Sequence, residues 1–197
     1  MGAYRTMISP QVLPPAFFAL PAEEVALALL GKTLVRRRGK RLEAFGITET
    51  EAYIGPEDLA CHAARGRTQR TEVMFGSAGR FYVYLVYGMH WMLNVVTGEV
   101  GHPAAVLIRG AGALEGPGRL TKALAITGAL NGKPAAERTG LWIGDSGETP
   151  QAGAILRTAR IGVDYAGPIW AAKEYRFVLK KPEAYPPLKG RAPSPNA

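Results

Sequence analysis

The sequence predicts an α+β fold: a single domain on a mixed, mostly antiparallel, curved β-sheet, with a protruding β-hairpin and surrounding helices. Three observations carry that expectation. Runs of β-branched and aromatic residues recur between turn signals, the helical segments among them are short, and 47% hydrophobic content over 197 residues suffices for one sizeable core rather than two.

Taken in chain order, the first 15 residues carry Pro10 and Pro14 and read as a loosely ordered N-terminal segment. Pro21, Glu23 and Glu24 suit a first helical turn and Gly31 a helix end, so Val25 to Leu30 reads as a short helix. Lys32 to Arg38 and Arg41 to Tyr53 are two strands joined by Gly39-Lys40, with glycine first as a type II′ turn requires. Simple alternation in the second strand puts Ile47, Glu49, Glu51 and Tyr53 on one face and residues 48, 50 and 52 on the other. Gly55-Pro56-Glu57-Asp58 breaks this strand and starts a helical turn over Leu59 to Ala63, and Gly66 to Arg70 is a basic, polar loop.

Arg80 to Val86 and Trp91 to Thr97 form the next hairpin, with Tyr87-Gly88-Met89-His90 exposed at its tip. There Tyr82 and Tyr84 share one face, and Phe81, Val83 and Leu85 the other. Pro103 to Arg109 is a strand, and Pro117 to Ile126 a helix closed by Gly128. Late strands at 155–163 and 175–180 flank a short turn at Trp170. The domain is expected over 16–185, and Pro186 to Ala197, without apolar periodicity, reads as a disordered tail.

The 24 Lys and Arg against 16 Asp and Glu give a formal charge of +8, which suits a polyanionic partner. The single Cys61 excludes an internal disulfide, and with only His62, His90 and His102 no zinc-ligand set can be assembled; no metal is expected. No apolar stretch reaches 18 residues, and no basic leader precedes an apolar segment at the N-terminus. The reading is a soluble, cytoplasmic protein without a membrane partner.

Glu49-Thr50-Glu51-Ala52-Tyr53 puts two carboxylates and a phenol on one strand face, close in sequence to His62. Strand carboxylates ordinarily face solvent or pair with arginines, a lone histidine is ordinarily structural, and Tyr84 suits a core as well as a cleft. Gly116-Pro117-Gly118, followed by Arg119 and Lys122, suits either a backbone-phosphate contact or a plain helix start.

In order along the chain, Leu29-Leu30-Gly31-Lys32, Glu49 to Asp58, His62, Met74-Phe75, Tyr82-Val83-Tyr84, Tyr87-Gly88-Met89, Asn94, Leu107-Ile108-Arg109 and Gly116-Pro117 form a set of blocks. As a set they resemble the alkyladenine, or 3-methyladenine, DNA glycosylase family, in its short bacterial form. The resemblance covers most of the chain, to about Leu179. It implies a monomeric, cofactor-free enzyme, nucleoid-associated when bound to DNA, acting on double-stranded DNA with damaged purines. It would flip 3-methyladenine, 7-methylguanine or hypoxanthine from the duplex, with ethenoadenine a further candidate, and hydrolyse the N-glycosidic bond to leave an abasic site.

Position by position, the resemblance makes Glu51 the general base for water, with Arg109 and the carbonyl of Ile161 completing the water's hydrogen bonds. Glu49 inherits no such role. Tyr53, His62 and Tyr84 would wall the base pocket, Asn94 would form its floor, and backbone groups of Ala60 and His62 would meet the purine edge. Tyr87 would be the wedge in the minor groove. Arg65, Arg67, Arg70, Arg119 and Lys122 would neutralise phosphates. His90 and Trp91 occupy hairpin positions where relatives vary, which leaves the grip of the tip open. The rival readings are a non-catalytic module for damaged or single-stranded nucleic acid and an enzyme of free nucleosides or RNA.

Overall fold

The computed structural model describes residues 10–180 apart from 146, 148 and 152. Among the described residues ten strands run in chain order: β1 (Gln11–Val12), β2 (Thr33–Arg38), β3 (Arg41–Tyr53), β4 (Phe81–Val86), β5 (His90–Thr97), β6 (Ala104–Ala111), β7 (Leu114–Glu115), β8 (Leu141–Asp145), β9 (Ile155–Thr158) and β10 (Arg176–Leu179). The α-helices are α1 (Pro15–Phe18), α2 (Ala22–Leu29), α3 (Pro117–Ala123) and α4 (Gly167–Ala171). The sheet runs β1-β8-β2-β3-β6-β5-β4, with β10 bridging β3 and β9, and β7 on β6. The expected α+β domain on a curled sheet is present, and every pairing among the described strands is antiparallel.

β3 is the spine. Its first half pairs β2, and its second half lies between β6 on one edge and β10 on the other. On one face, α2 and α3 close over a core that includes Leu29, Ile47, Ala52, Val106, Ile108, Leu120 and Phe177. Fully burying such side chains contributes roughly 1.5–3 kcal/mol each. Thr50, also buried on this face, keeps its hydroxyl satisfied by donating to the Ala26 carbonyl of α2 at 2.9 Å. On the opposite face Tyr53, Tyr82 and Tyr84 gather with Met74 and Ala105.

Several expectations change. Ile47 does not share a face with Glu49, Glu51 and Tyr53: it belongs to the core with Ala52. The β3–β6 register shifts between Ile47 and Glu49 and again between Glu49 and Thr50. Such an irregularity re-aims the side chains on either side of it. The segment before Pro15 is not loosely held where it is described. β1 pairs Gln11 with Asp145 and Val12 with Gly144, the Leu13 amide donates to Ile143 at 2.9 Å, and Leu13 is buried. Residues 1–9 and the expected tail at 186–197 lie outside the described residues.

α3 stops at Ala123 rather than Ile126 because Ala125 takes φ 48°, and the Arg36 guanidinium caps the freed carbonyls of Leu124 and Ala125. β9 ends at Thr158 because Arg160 and Ile161 turn away from the ladder to other partners. The expected helical turn at 59–63 starts later, as a 3-10 turn over His62–Arg65. The hairpin tip is exposed as expected but one residue shorter, since His90 already lies on β5 opposite Val86: Tyr87 and Gly88 both have positive φ, 51° and 68°, and Met89 donates back to Val86. His90 packs on Gly118 and Trp91 on Gly128, where added Cβ atoms would come within 3.1 and 2.8 Å of the rings. Both side chains therefore brace the hairpin against the α3 side.

The end of β3 is tied to the last third of the chain by Asp58 and Arg160, whose side chains are fully buried. Arg160 holds both Asp58 oxygens, Nη1 to Oδ2 at 2.5 Å and Nη2 to Oδ1 at 2.8 Å, and donates to the Ala52 carbonyl at 2.9 Å. Asp58 also accepts from the amides of Ile54 and Ala60. The guanidinium lies 4.8 Å from the Tyr53 ring centroid and 5.4 Å from that of Tyr175. Removing one charge of such a pair leaves the other uncompensated. Asp58→Asn is expected to lower the unfolding free energy by about 3–5 kcal/mol, measured by urea denaturation; a loss below about 1 kcal/mol would contradict this picture of the pair.

Candidate active site

Glu51 sits on the second half of β3 with β6 and β10 on its two edges, and it is fully buried. A carboxylate removed from water must find donors. Oε1 accepts from the Ile161 amide at 2.9 Å and lies 3.3 Å from Arg109 Nη1, while Oε2 accepts from the Tyr53 hydroxyl at 2.9 Å. Burial still dominates and pushes the Glu51 pKa above the usual carboxylate range, against the pull of Arg109, the Ile161 amide and Tyr53. The result is a carboxyl of raised basicity, the property a general base needs.

Arg109 is aimed by Glu49. Its Nε donates to Glu49 Oε1 at 2.8 Å, and the same oxygen accepts from Arg176 Nε at 2.7 Å. Glu49 is thereby occupied as a counter-ion to two guanidiniums, which leaves Glu51 as the carboxylate beside the cleft. Ile161, expected to reach the water through its carbonyl, touches the carboxylate itself through its amide.

Next to Glu51 lies a narrow cleft that opens to solvent. Tyr53, Ala60, His62, Tyr84 and Asn94, expected as pocket residues, all line it, with Cys61, Met74, Tyr82, Ala105 and Tyr165 completing the wall. Tyr53 is thus shared between cleft and carboxylate. His62 Nδ1 lies 3.0 Å from the Tyr82 hydroxyl, and its ring meets Tyr84 edge-on with centroids 4.6 Å apart. Burial, then the charge of Arg70, lowers His62 to about 4, so its imidazole is neutral at neutral pH. The buried Asn94 is fixed by donating from its amide to the Tyr82 carbonyl at 3.0 Å. Burial raises the Tyr82 and Tyr84 phenols, so both stay protonated.

The basic residues are not equivalent. Arg67 is bound to both Glu72 oxygens, at 2.7 and 2.6 Å, and lies over Phe75. Arg70 stands 5.0 Å from the Tyr84 ring centroid. Arg65, Arg119 and Lys122 are exposed. At the hairpin tip Tyr87 is 87% exposed, beside an exposed Met89.

Asp58 and Arg160 had no reading as a pair in the sequence, and Tyr165 had none at all. Arg160 matters here because it immediately precedes Ile161, whose amide holds Glu51. The only local signal for Tyr165 is its place between Gly162 and Gly167.

A family model described as Methylpurine-DNA glycosylase (MPG) matches residues 16–115 and 110–183, which takes in the whole site. A Myxococcus xanthus protein named "Putative 3-methyladenine DNA glycosylase" is 49% identical over 85% of this chain and 90% of its own length. Proteins of the same name from Methanocella arvoryzae and Psychrobacter cryohalolentis are 44% and 41% identical, covering 92% and 79% of this chain and 98% and 86% of their own. With the fold's core strands and the cleft all inside these matches, the chain belongs to the methylpurine-DNA glycosylase family and is a DNA glycosylase, a hydrolase of N-glycosyl bonds.

Proposed function

We propose that this glycosylase is monofunctional and monomeric, that it flips an alkylated or deaminated purine out of duplex DNA into the cleft, and that Glu51 directs water onto the sugar. The observation that carries the proposal is a fully buried carboxylate joined through Tyr53 to an aromatic cleft. Breaking the N-glycosidic bond builds positive charge on the sugar, and a nearby carboxylate both stabilises that charge and takes the proton of the attacking water. Arg109 and the Ile161 amide keep Glu51 oriented while it does so, and both favour its ionised form against burial.

The departing base sets what else is needed. 3-Methyladenine and 7-methylguanine are cationic in DNA and leave neutral, so they need no acid; hypoxanthine and ethenoadenine take up a proton as they leave. Tyr53, His62 and Tyr84 supply stacking of roughly 1–3 kcal/mol per base, with a cation–π contribution for alkylated purines. A neutral His62 adds no charge against a cationic base. Asn94 crowds the exocyclic amino group of guanine; 7-methylguanine carries the same group, and its cationic ring makes it the better leaving group.

Tyr87 is the wedge that replaces the flipped nucleotide in the stack. A large aromatic side chain held at positive φ and left in solvent is strained and unpacked, a combination that accumulates at functional sites. Arg65, Arg119 and Lys122 are the foremost phosphate contacts. Arg67 and Arg70 take that part only by leaving Glu72 and Tyr84.

Glu51→Gln is expected to cut single-turnover release of hypoxanthine and 3-methyladenine by about 10²–10⁴-fold while leaving lesion binding in place; unchanged turnover would refute the role of Glu51. The wild-type rate should be full above the raised Glu51 pKa and fall as the pH drops through it, so its acid limb lies above the usual carboxylate range. Tyr87→Ala should lower kcat/KM on duplex DNA by about one to two orders of magnitude, the equivalent of a few kcal/mol of unstacking left uncompensated. Equal activity of the two proteins on duplex would remove the wedge.

A further inference from the structure

Tyr165 takes no part in the chemistry above, yet it lines the cleft. It is 64% exposed, far more than a core tyrosine, and its hydroxyl donates to the Ala60 carbonyl at 2.8 Å. Its short 3-10 turn, Asp164–Ala166, lies between Gly162 and Gly167, with φ of 75° and 79°. An added Cβ would meet nothing within 4 Å at either glycine, so backbone conformation and not packing calls for them. A tyrosine at the cleft is therefore held by one hydrogen bond to Ala60, on a segment bounded by two glycines of positive φ.

We propose that Tyr165 is a specificity-determining residue of the purine cleft, its hydroxyl deciding between 6-amino and 6-oxo purines at the Ala60 carbonyl. The proposal rests on the reading of the cleft as a purine pocket. Ala60 lines the cleft, and its amide is already taken by Asp58 Oδ1 at 3.0 Å. Its carbonyl is thus the polar group it has left for a base edge. An adenine-type amino group can donate to that carbonyl, but must compete with the phenol for it. A 6-oxo purine cannot donate from that position, and gains the Tyr165 hydroxyl as a donor when that hydroxyl turns from Ala60 to the base oxygen.

Removing the hydroxyl alone acts on the two classes in opposite directions. Tyr165→Phe keeps the ring, frees the Ala60 carbonyl for an amino group and takes one donor away from an oxo group. The test is release from methylated duplex DNA, which carries both 3-methyladenine and 7-methylguanine, and from a hypoxanthine duplex, with products separated by chromatography. In Tyr165→Phe the ratio of kcat/KM for 3-methyladenine over each oxo purine should rise by about fivefold or more, the scale of one hydrogen bond. The melting temperature should stay that of the wild type, because the side chain is largely in solvent. Tyr165→Leu, which also removes the ring, should lower release of all three.

An unchanged ratio in Tyr165→Phe, with wild-type release of both classes, would overturn the role of Tyr165 and leave the glycosylase reading standing. A wild-type protein that releases none of the three would overturn the purine pocket, and this inference with it.

Discussion

A carboxyl without water has to find its hydrogen-bond donors among its neighbours, and the second half of β3 is arranged around that need. Glu51 receives an amide from the 159–162 segment, a guanidinium from β6 and a phenol from its own strand. Each of these donors needs support. Arg109 is turned toward Glu51 by Glu49, which Arg176 of β10 also holds. Tyr53 is stacked on Arg160, and the Ile161 amide follows directly from Arg160 in the chain. Three segments distant in sequence therefore meet at one group, and the net effect of burial and donors is a pKa above the ordinary range.

The Asp58–Arg160 pair makes that meeting rigid. A buried ion pair is weak evidence of stability in itself, since desolvation offsets much of the attraction. Its worth here is in geometry: one guanidinium bonds Asp58 and the Ala52 carbonyl, and through Asp58 the loop that carries Ala60. Cleft and carboxylate are set by the same two side chains, so the proposed seat of the base and the proposed place of the water have a fixed relation. This is preorganisation of the kind that lets an active site stabilise developing charge without reorganising.

What the sequence disclosed follows from which interactions are local. The hairpins declared themselves through residues adjacent to their turns, as at Gly39-Lys40 and Tyr87-Gly88, and the faces of Tyr82 and Tyr84 against Phe81 and Val83 followed from simple alternation. The ordered blocks from Glu49 to Gly116 marked the family and the cleft residues. Alternation failed at Ile47, because the register shift depends on a partner strand some 60 residues away that β3 alone does not reveal. Arg160 could not be matched to Asp58 across 102 residues without the fold. β1 was obscured by its prolines, although Gln11 and Val12 need only two residues of ladder to dock on β8.

The central claim is that Glu51 is a buried carboxylate whose burial outweighs its donors, so that it is a stronger base than an ordinary glutamate yet ionised when the enzyme works. The direct measurement is a carbon-13 NMR titration of the glutamate side-chain carboxyls in the DNA-free protein, with the Glu51 signal assigned by its loss in Glu51→Gln. The account predicts one carboxyl that titrates above the range of the others and is ionised at the pH of full activity. A Glu51 signal that titrates with the exposed glutamates, or that stays protonated where turnover is fastest, would contradict it.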